Sequence, residues 1–142
     1  MIDESAYRHA QGEINRQPCV FERALLQRHA ICEMAVHHTI DNRECRACAQ
    51  PVAHLACVQL LTLLRSNSRF ALKIPKHKTA ATPLAQMKIQ CGGLNGLKQL
   101  IDADAVAPDV HRLVRQAQKR YGELTRLPFS EIVKSIAAWR AS

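Results

Sequence analysis

Six cysteines stand at positions 19, 32, 45, 48, 57 and 91 of this 142-residue chain. Thiolates are soft ligands, suited to zinc and to iron–sulfur clusters. Two residues between a pair let both sulfurs reach one metal from a single turn, and Cys45-Arg-Ala-Cys48 has that spacing. The remaining intervals hold between 8 and 33 residues. A zinc finger usually combines two compact pairs, and only one is present here. A [4Fe–4S] cluster is larger and takes ligands from separated segments, so the loose spacing favours it over zinc. His37 and His38 lie near the compact pair and are the residues that would complete a zinc site; adjacent histidines near a helix end are equally read as solvated side chains. A redox-active pair would follow a strand and open a helix, and no strand is expected before Cys45. In a metal-free sensor, Arg46 would lower the thiolate pKa. Cysteine is also a small hydrophobe that is often buried, and Cys32 and Cys57 fall on apolar helix faces.

The elements that carry these residues decide which can cooperate. Phe21, Ala24, Leu25, Ile31, Cys32 and Ala35 recur with helical spacing, which predicts a helix from Val20 to about Thr39. Neither Gly nor Pro interrupts residues 19–50, so that helix has room to run to Cys45. On it, Cys19 and Cys32 are separated by about 20 Å of rise and cannot share a metal. The set with the shortest reach is Cys45, Cys48, Cys57 and Cys91, with Cys32 or Cys19 able to replace one member. Cys57 sits about two turns into a helix predicted for residues 50–66, which opens on Pro51. That helix is apolar almost all round and reads as a buried central element. Cys91 arrives from Gln90-Cys91-Gly92-Gly93, where glycine permits a tight turn or a close backbone approach.

A loop is expected over 75–83 and further helices over 94–101 and 109–121, the second ended by Gly122. A last helix is capped by Ser130. No period-two run or hairpin dipeptide is evident. The expectation is an all-α protein: a polar N-terminal segment over 1–17, then a single domain over 18–142 built as a compact bundle of about five helices.

The formal charge is +8, and residues 45–101 contain no Asp or Glu while holding eight of the Lys and Arg residues. The rest of the chain is balanced. The basic segment suits an acidic protein partner or, less well, nucleic acid; alternatively it offsets negative thiolates at a metal. Aromatic residues make up only 4%, too few for a base-stacking surface. Gly92–Gly96 lacks the strand and the Gly-Lys-Ser/Thr ending of a phosphate loop. Lys76-His77-Lys78, flanked by prolines, reads as an exposed loop. The acidic Asp102 and Asp104 argue against a helix–turn–helix over 94–120. No nucleophile–base pair is readable, so an enzyme is not favoured. The N-terminus has no apolar run and no stretch is apolar for long enough to span a membrane, so a cytoplasmic protein is expected, with thiols available for metal.

The HAICEMA stretch around Cys32, the Glu44-to-Cys48 ECRAC pair and the run Gln90-Cys91-Gly92-Gly93-Leu94 resemble small uncharacterised bacterial cysteine-containing proteins of unknown function, over roughly residues 18–100. The resemblance implies no activity and no ligand set. The expected function is a small metal-binding protein holding an iron–sulfur cluster, in electron transfer, redox sensing or an accessory role. Structural zinc and a metal-free interaction module are the alternatives.

Overall fold

The computed structural model describes residues 17–75 and 82–141. The polar segment expected over 1–17 lies almost wholly outside the described residues, as does most of the 75–83 loop. In chain order the elements are α1 (Glu22–Leu26), β1 (Ala35–Ile40), β2 (Arg43–Cys48), α2 (Pro51–Ser68), α3 (Pro83–Met87), a π-helical turn (Lys88–Gly92), α4 (Gly93–Ile101), α5 (Val110–Tyr121), a 3-10 turn (Leu124–Arg126) and α6 (Phe129–Ala138).

The all-α expectation is therefore corrected: the fold is mixed, with an antiparallel β1–β2 hairpin beside the helices. The helix predicted over 20–39 stops at Leu26, and Arg28 takes a left-handed φ of 62°. Val36, Thr39 and Ile40 are β-branched and fit a pleated surface better than a helix. Asp41 and Asn42 both adopt positive φ, 48° and 66°, as a two-residue hairpin turn of the primed type requires. Asp-Asn was thus the hairpin signal. The apolar period continued past Leu26 by coincidence, and Ile31 is exposed.

Residues 17–19 run along the outer edge of β2. Cys48 N–H donates to Gln17 O at 2.8 Å and Cys19 N–H donates to Arg46 O at 3.0 Å. The Glu22 carboxylate accepts from Arg46 N–H at 2.8 Å, tying the start of α1 to the same strand.

Pro51 opens α2 as expected, and the Gln50 side chain accepts from Val52 N–H. The helix is not buried on every side. Leu60, Leu61 and Leu64 enter the core, whereas Val52, Leu55 and Val58 are exposed. The α3, π-helical and α4 segments form one uninterrupted rod. Its glycines serve close packing, not a turn. A Cβ on Gly92 would lie 2.6 Å from Ile136 Cα, so only glycine lets the rod approach α6 there. Asp109 caps α5 by accepting from Arg112 N–H, and Gly122 follows its end with φ 83°, both as expected. Ser130 is no cap: it lies inside α6, behind Pro128.

The core gathers Phe21 from α1, Leu60 and Leu64 from α2, Leu94 and Leu97 from α4, Val114 from α5, and Ile132 and Ile136 from α6. No helix among the described residues is long and apolar enough to cross a membrane.

Candidate metal centre

At the end of the molecule that carries the hairpin, a small, partly enclosed void is lined by Cys19, Cys32, Cys48 and Cys57. Its remaining walls are mostly apolar, including Val20, Met34, Ala35, Ala47, Ala53 and Val110, with His54 and His111 at the margin. Four separate pieces of chain bring the thiols there. Cys19 comes from the segment beside β2 and Cys32 from the link between α1 and β1. Cys48 ends β2, and Cys57 is the seventh residue of α2.

Each position is fixed by local backbone bonds. The Cys32 link is held on both sides, since Ile31 N–H donates to Pro108 O at 3.0 Å and Val110 N–H donates to Ile31 O at 2.8 Å. Asp109 adds a third tie by accepting Glu33 N–H at 3.0 Å. These bonds set Cys32 at the N-terminal end of α5, where the backbone N–H groups of Met34 and His111 reach its sulfur. The Cys48 thiol donates to Gln50 O at 3.3 Å, across the tight step from β2 into α2. His54 Nε2 lies 3.0 Å from Pro18 O and binds the Cys19 segment to the first turns of α2.

Three of the thiols, Cys19, Cys32 and Cys57, are raised in part by their cysteine neighbours. Burial pushes Cys19 up to about 12; nearby Cys32 and Cys48 add to the rise, while Phe21 N–H opposes it. Burial likewise pushes Cys57 up to about 12, reinforced by Cys19, Cys32 and Cys48. Cys32 is raised too, first by burial, with the N–H groups of Met34 and His111 pulling the other way. Without a cation Cys19, Cys32 and Cys57 are neutral thiols. A cation among them removes that penalty, so metal binding would release protons.

Of the expected set, the structure brings Cys48 and Cys57 together and joins to them Cys19 and Cys32, the two named as substitutes. It places Cys45 and Cys91 apart from the void. The reason for Cys45 is periodicity. On a strand, residues three apart face opposite sides, so the two-residue spacing that would let a turn chelate does the reverse here. Cys45 points into buried surroundings opposite His38, with its thiol 3.9 Å from Arg43 O. Cys91 lies in the π-helical turn within the apolar core, and burial alone pushes its thiol up to about 11. His37 stands in the hairpin opposite Arg46 and is exposed.

The 20 Å separation expected for Cys19 and Cys32 disappears with the helix that imposed it. Sequence reasoning also missed His54 and His111. His111 Nδ1 lies 2.7 Å from Glu33 Oε1, and this bond holds the Glu33 carboxyl below the usual carboxylate range. The one early signal for His111 was its place in the first turn of a helix capped by Asp109.

The void has a volume of about 20 Å³, room for about one water molecule. Among the described residues, no three His, Cys, Asp or Glu side chains converge closely enough to hold one metal ion. The thiols surround a space without closing on a point. Comparison with protein families, curated proteins and solved structures found no match to this chain.

Proposed function

We propose that the chain is an iron–sulfur protein whose [4Fe–4S] cluster is held by Cys19, Cys32, Cys48 and Cys57, and that it carries or senses single electrons. The observation that carries this reading is the gathering of four thiols, from four separate chain segments, around one apolar void. Four soft sulfurs with no carboxylate among them are a donor set for zinc or iron–sulfur, not for hard cations. A cluster presents its irons at separate corners, which suits thiols that ring a space, whereas zinc needs four sulfurs about 2.3 Å from one point. The void must widen to take a cluster. Cys19 and Cys32 are on irregular chain and Cys48 ends a strand, so widening means shifting the backbone bonds that tie those segments, while Cys57 stays on its helix.

The surroundings fit a negatively charged centre. Cys32 receives two backbone N–H bonds at the N-terminal end of α5, where the helix dipole favours negative charge. Hydrogen bonds to sulfur and exclusion of water are the levers by which a protein sets a cluster's potential. Electron transfer or sensing is the chemistry proposed.

The test is anaerobic purification followed by an absorption spectrum and metal analysis. A broad band near ~400 nm with iron and labile sulfide is the expected result. Colourless protein with one zinc per chain would replace the cluster by a structural zinc site. Protein with neither metal, even after reconstitution with iron and sulfide, would overturn both.

A further inference from the structure

Away from the cysteine void, the outward side of α5 borders an open hollow of about 660 Å³ lined by Glu33, Arg112, Arg115, Gln116 and Lys119. Among the described residues that lining contains no apolar side chain. The inner side of α5 explains the arrangement. Val110, Leu113, Val114 and Ala117 are buried in the core, which leaves the polar positions between them facing out. Arg112, Arg115 and Lys119 stand at i, i+3 and i+7 and form one exposed row, about 10 Å long at ~1.5 Å of rise per residue. Like charges three and four residues apart repel and weaken a helix, so folding gains nothing from this row. Glu33 is the one acid in the lining and is already engaged, with Oε1 2.7 Å from His111 Nδ1 and Oε2 3.6 Å from Arg112 Nε. Among the described residues neither Arg115 nor Lys119 has an acidic partner, and α5 itself contains no Asp or Glu.

We infer that this row is a docking surface for the sugar–phosphate backbone of duplex DNA, which it recognises by charge and not by base sequence. The inference does not rest on the iron–sulfur reading. A protein partner usually meets an apolar centre inside a polar rim, and the described lining offers no such centre. A helix that lies on a bilayer sinks an apolar face into it, whereas the apolar face of α5 is spent on the core. Single strands are held by aromatic stacking, and no Phe, Tyr or Trp is among the described lining residues. Repeated negative charge is what the row fits. Duplex DNA presents one charge per ~1.7 Å of its axis. Arginine grips phosphate through paired N–H bonds, and glutamine amides donate to backbone oxygens, which gives Gln116 a part beside the three cations. Double-stranded RNA is recognised largely through its 2′-hydroxyls, for which the row offers only Gln116. The basic charge that matters is then that of α5, outside the acid-free 45–101 segment.

The test is fluorescence anisotropy of the full-length chain with a labelled mixed-sequence DNA duplex of about 20 base pairs, repeated across a range of salt concentrations. R115Q/K119Q should weaken binding about tenfold or more at low salt and make the slope of log K against log salt shallower by about two, equally for a duplex of unrelated sequence. R65Q/K73Q removes the same charge from the acid-free segment and should change affinity by less than about twofold. Glu33→Gln removes the one acid from the lining and should tighten binding about twofold or more, a gain that misfolding does not produce. Far-UV circular dichroism of each variant confirms that it is folded. Equal losses in R115Q/K119Q and R65Q/K73Q would reduce the effect to net charge and overturn the site, as would no binding by the wild-type chain at low salt. Stronger competition by poly-glutamate, anionic vesicles or an RNA duplex than by unlabelled DNA would overturn the choice of partner.

Discussion

Two sets of cysteines divide this molecule, one half-buried and one buried. Cys19, Cys32, Cys48 and Cys57 meet at the hairpin end, on irregular chain, a strand terminus and one helix. Cys91 is buried among leucines and isoleucines in the helical half, and Cys45 faces inward from β2. The raised Cys57 thiol has three other thiols among the causes of its shift, whereas burial alone raises Cys91. Burial by itself says nothing about ligation. What distinguishes the first set is a shared void, brought about by a hairpin and by backbone bonds between residues far apart in sequence. The helical half is held by apolar packing that a small change in volume disturbs, whereas the hairpin end keeps its shape through hydrogen bonds and, in the proposed holoprotein, through metal–sulfur bonds.

That contrast is open to direct attack. The largest effect should come from Cys57→Ser, which removes the one ligand on a regular helix; the ~400 nm band should be lost, while Cys91→Ser should keep it. Equal loss in both would erase the distinction between the two sets. Next in size, Ile136→Ala should cost about 2–5 kcal/mol in denaturant unfolding, as expected for a fully buried branched side chain, without changing iron per chain under native conditions. A fall in iron at full native population would show that the two halves are not separable in this way.

A third effect concerns pH in metal-free protein. Cys19 and Cys57 titrate near 12 in the fold, well above the ordinary thiol value of about 9. The native state therefore holds these protons more tightly than the unfolded chain. The stabilising contribution is complete below about pH 9 and is lost as pH rises from there toward 12. Melting temperature should fall across that window, and serine in place of both cysteines should flatten the fall. An unchanged slope in that double variant would remove the coupled-thiol account. The smallest effect is Asp109→Ala. It removes the α5 cap and the Glu33 tie and should cost about 1 kcal/mol. Because that tie positions Cys32, it should also shorten the cluster's lifetime in air more than its cost in stability implies.

Much of the helical half was legible in the chain. Pro51 at the start of α2, Asp109 and Gly122 around α5, and the apolar spacing of Leu113, Val114 and Ala117 are local signals, and local signals survive folding. The candidate site was only partly legible. The choice of cysteine as the ligand type and the inclusion of Cys48 and Cys57 came from composition and reach. Cys19 and Cys32 rank only as substitutes as long as a single helix runs through residues 20–39. The hairpin that replaces it hangs on Asp41-Asn42, a weaker turn signal than Asn-Gly, and on two strands of mixed polarity. The same error made Cys45-x-x-Cys48 look like a chelating turn when it is a strand with alternating faces. The ties of Ile31, beside Cys32, to Pro108 and Val110 link residues 77 and 79 positions apart and leave no trace in any local window.

The central claim is that these four cysteines act together and the other two do not. Iron and labile sulfide per chain, measured anaerobically on the wild-type protein and on six single Cys→Ser variants, test it most directly. The account predicts about four of each in the wild type and in the Cys45 and Cys91 variants, with marked loss in the Cys19, Cys32, Cys48 and Cys57 variants. Full loading of any of those four, or loss in the Cys45 or Cys91 variant while it remains folded, would contradict it.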